Sequence, residues 1–235
     1  MTDPDRLRAL AEAREPRAGF TDLFFLSPGE GVTELFLIRH AQIESGVEMN
    51  ADEDLTALGR EQAHVLAQYL SRYRFDAVYA SPSRRAQQTA APVASCQGLA
   101  VKTDEALADI KTLRPLSASV RDTIAEVTGA EGVDVFIDNM RRTMNFDAFA
   151  PFVESSADFR ARVVGVMNAI VAGHPGGRIA VICHSPVISA YLAVLAGTDR
   201  DFILNPRLTS ISRVLARDAQ RTIDFVNARP HLDNP

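Results

Sequence analysis

Two histidines and a cluster of arginines in this 235-residue chain stand directly after short apolar runs. Arg39 and His40 follow Glu34 to Ile38. Ser81, Pro82, Ser83, Arg84 and Arg85 follow Ala77 to Ala80, and His184 follows Ile179 to Cys183. Planar guanidinium forks pair bidentately with phosphate oxygens, and a neutral imidazole can attack phosphorus to give a covalent intermediate. Arginine beside His40 disfavours protonation of the ring, which keeps a nitrogen available at neutral pH. A hydrogen bond from the other ring nitrogen to a backbone carbonyl would fix the tautomer. The chemistry these residues could do is that of an anion site holding a nucleophile. Of Arg84 and Arg85, one would face the site and the other would be a solvated charge at a helix start.

The elements that must position these residues follow from hydrophobic patterning. The three apolar runs are short, lack helical periodicity and end in polar residues, as expected of strands buried on both faces of a parallel sheet. Between them, Leu58, Ala63, Leu66, Ala67 and Leu70 recur at three- and four-residue spacing, an amphipathic helix with Thr56 as N-cap. Ser155 and Asp158 have capping-box spacing ahead of a helix through Val163, Val164, Met167, Ile170 and Val171, which Gly173 to Gly177 end. Pro186 to Leu195 reads as a helix with proline in its first turn. Ser210 to Ala216 and Thr222 to Val226 read as strands. The alternation defines an α/β protein, and in such sheets ligands bind beyond the carboxyl ends of the strands. All the reactive residues lie at that edge.

Residues 1–30 read as an N-terminal extension, with a short helix at Arg6 to Ala13, and residues 31–235 as one domain. Within that domain, about residues 111–153 read as an inserted cap. The cap has a helix at Ser117 to Val127 and an amphipathic patch from Val133 to Phe152. Phe136, Phe146, Phe149 and Phe152 would form either an apolar wall for a substrate or the cap's own core, and Arg141 and Arg142 are expected to be exposed.

The net charge of −5 supplies no field to gather nucleic acid or an anionic membrane surface, so both are excluded as partners. No apolar stretch approaches the ~20 residues that cross a bilayer. Residues 1–17 lack the apolar core of a secretory signal. The two cysteines, Cys96 and Cys183, give no disulfide framework, and a cytoplasmic location is expected. A zinc reading of His40, Cys183 and His184 fails for want of a third ligand at suitable spacing, since adjacent strand residues point to opposite sides. His64 and His174 are expected to face solvent, and His231 carries no inference.

Leu37-Ile38-Arg39-His40-Ala41 resembles the Arg-His-Gly signature of the histidine phosphatase (phosphoglycerate-mutase-like) superfamily. Asp54-Leu55-Thr56-Ala57-Leu58-Gly59 with Gln62 and Ala63 is similar to the segment that follows it there. Ser81 to Ala90, Glu154 to Phe159 and Val181 to Ile188 resemble the later blocks, in family order, across about Glu34 to Ala216. The resemblance implies a three-layer sandwich around a mostly parallel central sheet with an inserted cap. It makes His40 the phosphate-accepting nucleophile. Arg39, Arg85 and His184 become the clamp on the phosphoryl oxygens, Arg85 rather than Arg84 because it directly precedes Ala86-Gln87-Gln88-Thr89. The family's acid follows a short leucine-containing segment, which places Asp109 as proton donor, with Glu105 a nearby substitute. No cofactor and no metal is implied.

Four departures bear on substrate rather than on this core. Ala41 stands for the usual glycine, Gln42, Ile43 and Gly46 occupy a loop that often contacts substrate, with Glu44, Ser45 or Asn50 as substitutes, and Asp109 is one methylene shorter than glutamate. Pro186 lacks the N–H another residue would offer there, with Ser185 or Val187 as replacements. The expected activity is hydrolysis of a phosphomonoester of a small metabolite through a phosphohistidine. The alternatives are a phosphoglycerate-type mutase and a degenerate phosphate-binding or regulatory module. A homodimer is left open.

Overall fold

A computed structural model describes residues 24–44, 53–113, 132–149 and 153–233, together with Ala125 and Gly129. The expected helix at Arg6 to Ala13 lies outside the described residues, as does that at Ser117 to Val127 apart from Ala125. In chain order the strands are β1 (Thr33–Arg39), β2 (Ala77–Ala80), β3 (Val101–Thr103), β4 (Arg178–Cys183), β5 (Ile211–Arg217) and β6 (Gln220–Ala228). The helices are α1 (Ala57–Leu70), α2 (Arg84–Cys96), α3 (Gly132–Thr143), α4 (Ser156–Gly173), α5 (Ser185–Leu195) and the single turn α6 (Pro230–Asp233). Short 3-10 turns cover Glu105–Leu107 and Phe146–Phe149.

The sheet runs β3-β2-β4-β1-β5-β6, parallel from β3 to β1 and antiparallel at β5 and β6. Alternation along β1 shows why the chain makes three layers. Leu35 and Leu37 pack with Ile179 and Val181 against Phe159, Val163, Met167 and Ile170 of α4 and Val187 and Ile188 of α5. Phe36 and Ile38 pack with Ala180 and Ile182 against Leu66 and Leu70 of α1 and Ala90 and Val93 of α2. A strand buried on both faces calls for apolar residues on both, which residues 35–38 and 179–183 supply. Glu34, at the start of the first run, is buried against Arg178 and Arg213. Ahead of β1, Leu26 joins Val32 and Leu215 in a small buried cluster.

The caps form as the sequence implies. Thr56 Oγ1 accepts from Gly59 N–H at 2.8 Å, and Ser155 Oγ accepts from Asp158 N–H at 3.1 Å. Leu58, counted in the apolar stripe of α1, is exposed. It projects about 120° round the helix from the centre of the buried set Gly59, Ala63, Leu66, Ala67 and Leu70. The sequence reading also missed β3, a three-residue edge strand too short to show a period.

Gly59 takes the inward place because α1 starts against the loop after His40. Thr56 N–H donates to Gln42 O at 3.1 Å, and a Cβ on Gly59 would lie 2.0 Å from that same carbonyl oxygen. Backbone cannot rotate away as a side chain can. Overpacking of this kind costs about 1–3 kcal/mol or more, against the ~1 kcal/mol that alanine gains over glycine in a helix. Gly59→Ala is therefore expected to destabilise the protein by up to ~2 kcal/mol net, read as a lower urea midpoint. An unchanged midpoint would show that the Gln42 loop yields freely.

Candidate active site

Sheet register brings the two histidines together. Arg39 of β1 pairs with Cys183 of β4, so the next residue on each strand, His40 and His184, leaves the sheet beside the other. His40 N–H donates to Cys183 O and Ser81 N–H to Ile182 O, both at 3.0 Å, which brings the end of β2 to the same place. The imidazole centroids are 5.4 Å apart, and both rings are buried.

His40 Nδ1 lies 2.8 Å from Ala41 O. A carbonyl can only accept, so Nδ1 carries the proton and Nε2 presents a bare lone pair. Burial, first, and His184 next push the His40 pKa down to about 3, with Arg85 and Arg39 adding less. The direction is the one read from the sequence, but desolvation rather than the arginines is its main cause. Ala41 does not have positive φ, so glycine is not required there, and its N–H donates to Thr89 Oγ1 at 3.0 Å.

Arg85 and Arg84 part company at the start of α2. Arg85 is buried with Nη2 3.3 Å from Asp109 Oδ2, whereas Arg84 is exposed and pairs with Asp54. Arg39 is held by Pro206 O, which accepts from its Nη1 at 2.6 Å, and its Nε is buried without a protein hydrogen-bond partner. Burial lowers the Arg39 pKa from its usual value, Asp109 opposes the shift and the neighbouring charge of Arg85 adds to it.

His184 Nε2 lies 2.8 Å from Ser81 Oγ and 3.4 Å from Ser83 Oγ. Its Nδ1 is 3.4 Å from Asp109 Oδ2 and buried without a hydrogen-bond partner. That approach is an ion pair only for a charged ring. Burial, then Arg85, Arg39 and Arg162, push the His184 pKa down to about 3, so the ring is neutral. Asp109 thus sits between Arg85 and His184. Glu105 is exposed on the preceding 3-10 turn, so of the two acids Asp109 is the one that the fold brings beside His184.

Several participants were given no role in the sequence reading. Ser81 orients His184, Thr89 holds Ala41, and Arg162 of α4 donates to Ala106 O and Ala108 O at 2.9 Å and to Asp109 O at 3.2 Å. A side chain whose partners are carbonyls some fifty residues away leaves no local pattern. His174 corrects the solvent-facing expectation, being half-buried with Nε2 3.1 Å from Tyr79 Oη. His231 packs near Tyr69 with Nε2 3.1 Å from Thr209 Oγ1, while His64 is exposed as expected.

Cys183 is fully buried with its thiol pushed up to about 12 by burial. Among the described residues no group of three or more His, Cys, Asp or Glu is placed to hold a metal ion. In the loop after His40, Gln42 Oε1 accepts from Thr56 Oγ1 at 2.8 Å and Ile43 bridges to Leu55. Ser45, Gly46 and Asn50 lie outside the described residues. Pro186 falls in the first turn of α5, where a backbone N–H would have no helical partner.

Of the expected cap, Phe146 is buried against Phe159 and Phe202, Phe136 packs on Phe149 at 5.3 Å, and Arg141 and Arg142 are exposed. Phe152 lies outside the described residues. Phe146 therefore serves the main core rather than a substrate wall.

The profile of the histidine phosphatase superfamily (branch 1) matches residues 35–229. The chain belongs to that superfamily. It is 26% identical over 174 residues to phosphoserine phosphatase 1 of Hydrogenobacter thermophilus, covering 72% of this chain and 78% of that one. Among solved structures, a mycobacterial glucosyl-3-phosphoglycerate phosphatase superposes with TM-score 0.72 at 20% identity, over 84% of this chain and 100% of that one. A phosphoglycerate mutase from Bacillus anthracis gives 0.70 at 19%, over 84% and 94%. The α/β fold with a mostly parallel six-stranded sheet is thus that of phosphoglycerate-mutase-like proteins, and relatives of both the phosphatase and the mutase kind share it.

Proposed function

We propose that the chain is a metal-independent phosphomonoesterase acting on a small phosphorylated metabolite through a phosphohistidine on His40. The observation that carries this reading is the tautomer: Nδ1 is tied to Ala41 O, which leaves Nε2 as a neutral nucleophile among arginines. Arg39 Nε and His184 Nδ1, buried without protein partners, are donors suited to phosphoryl oxygens. If Ser81 O–H donates to His184 Nε2, the proton of that ring is on Nδ1, on the Asp109 side.

In this mechanism His40 Nε2 attacks phosphorus, a P–N bond forms and the ester P–O bond breaks. Asp109 in its acid form gives its proton to the departing oxygen. The resulting carboxylate then takes a proton from water as that water attacks phosphorus. The P–N bond breaks, the lone pair returns to Nε2, and inorganic phosphate leaves. Arg39, Arg85 and His184 hold the equatorial oxygens, where charge builds in the transition state. Residues 111–153 act as the cap that chooses the leaving group. Two free cysteines, Cys96 and Cys183, suit a reducing cytoplasm, and no described helix is long and apolar enough to cross a membrane.

The mutase reading shares the first half of this cycle and differs in the acceptor. A panel of small phosphomonoesters incubated with chelator-treated protein decides between them. Hydrolysis gives equal amounts of alcohol and inorganic phosphate. A mutase gives a positional isomer of a phosphorylated sugar acid with little phosphate released. Folded protein that binds vanadate yet turns nothing over would support the degenerate module instead.

A further inference from the structure

The acid loop has no secondary structure of its own. Asp109 follows the 3-10 turn Glu105–Leu107, and its own Oδ1 accepts from Ile110 N–H at 2.9 Å. The carboxylate that must meet a leaving oxygen is therefore placed by whatever holds residues 106–111. One guanidinium does most of this. Arg162 Nη1 donates to Ala106 O and Ala108 O at 2.9 Å, and Nη2 donates to Asp109 O at 3.2 Å and to Glu154 Oε1. Its Nε donates to Glu154 Oε2 at 3.3 Å, which uses all five N–H groups.

Glu154 completes the strap. Its Oε1 accepts from Lys111 N–H at 2.7 Å while its own N–H donates to Lys111 O at 2.9 Å, and the next residues pair as Thr112 with Val153. The side chains of Arg162 and Glu154 are only 11% and 9% exposed, so the pair is desolvated and held in one geometry. Such a pair is costly to break on one side only.

We infer that Arg162, with Glu154, is a positioning residue that fixes Asp109 for proton transfer to the leaving group. The inference rests on the phosphatase reading and deepens it. Lysine cannot replace it, since a single ammonium cannot reach three carbonyls and a carboxylate in one plane. In the transfer to His40, the step that kcat/KM reports, a misplaced acid hurts poor leaving groups and spares good ones, because only the former need the proton.

The test is kcat/KM for an alkyl phosphate and for an activated aryl phosphate, measured for wild type, Arg162→Lys, Asp109→Asn and the double variant. Arg162→Lys is expected to lower the alkyl rate by about 10–100-fold, part of the ~10²–10⁴-fold that general acid catalysis supplies, and the aryl rate by less than about threefold. The loss should fall on kcat rather than KM. Asp109→Asn should show the same leaving-group dependence, and the double variant should be no slower than Asp109→Asn alone. Glu154→Gln, which keeps the carbonyl contacts of Arg162, should shift the alkyl rate in the same direction by less. A loss equal for both esters, or losses that multiply in the double variant, would overturn the inference while leaving the phosphatase reading intact. Wild type inactive on every ester would instead overturn that reading, and the positioning role with it.

Discussion

His40→Ala is expected to lose turnover by about 10⁴-fold or more, the scale seen when a covalent nucleophile is removed, while the protein stays folded. Folding should survive because His40 lies past the end of β1 rather than within it, and the cores on the two faces of the sheet do not include it. The cost is the Ala41 carbonyl, which loses its imidazole donor at 2.8 Å. An unsatisfied buried acceptor costs about 1–3 kcal/mol.

Binding should survive as well, because Arg39, Arg85 and His184 remain to hold an anion. The variant should therefore bind vanadate or phosphate and release no product. Wild type quenched during turnover should carry an acid-labile, alkali-stable phosphoryl group, and the variant none. Circular dichroism establishes folding, and product release together with the trapped label establishes chemistry. Turnover retained in the folded variant would rule out attack by His40 and the phosphohistidine route with it.

How much of this was legible in the sequence depends on how local each contact is. Strands β1, β2 and β4 could be read because burial on both faces demands unbroken apolar runs, and a run ending in Arg-His or in Cys-His announces what the strand delivers. The caps at Thr56 and Ser155 could be read because both partners lie within three residues. Arg85 could not be told from Arg84 by spacing. The family resemblance of Ala86 to Thr89 favoured Arg85, and α2 turns that residue inward beside Asp109 and Arg84 out to Asp54. Arg162 was invisible for the same reason on a larger scale, since it binds the backbone of a loop more than fifty residues earlier and backbone acceptors have no sequence code. The cause of the low His40 pKa was misread because charge shows in a sequence and desolvation does not. Ala41 was a departure in the sequence and no obstacle in the fold, because nothing there demands positive φ.

The second large effect is expected at Arg85, where charge and geometry can be separated. Arg85→Met should lower kcat/KM by about 10²–10³-fold through loss of a preorganised donor to the phosphoryl group. It should also move the acid limb of the pH profile. In the wild type both rings stay neutral down to low pH, with pKa values of about 3. Burial is the first cause at His184 and Arg85 the second, so removing the guanidinium makes protonation easier and raises the pKa. It does not restore the usual value, because burial remains.

A charged His184 would in turn oppose protonation of His40 at 5.4 Å, so the limb belongs to the pair. Arg85→Lys keeps a positive charge and loses the bidentate fork. It should lower kcat/KM while leaving the limb near its wild-type position. Rates and NMR ring titrations carried below the wild-type values of about 3 and up to neutral pH check both parts. If Arg85→Met titrates like the wild type, the Arg85 charge does not act on His184, and burial with Arg39 and Arg162 sets that ring's pKa.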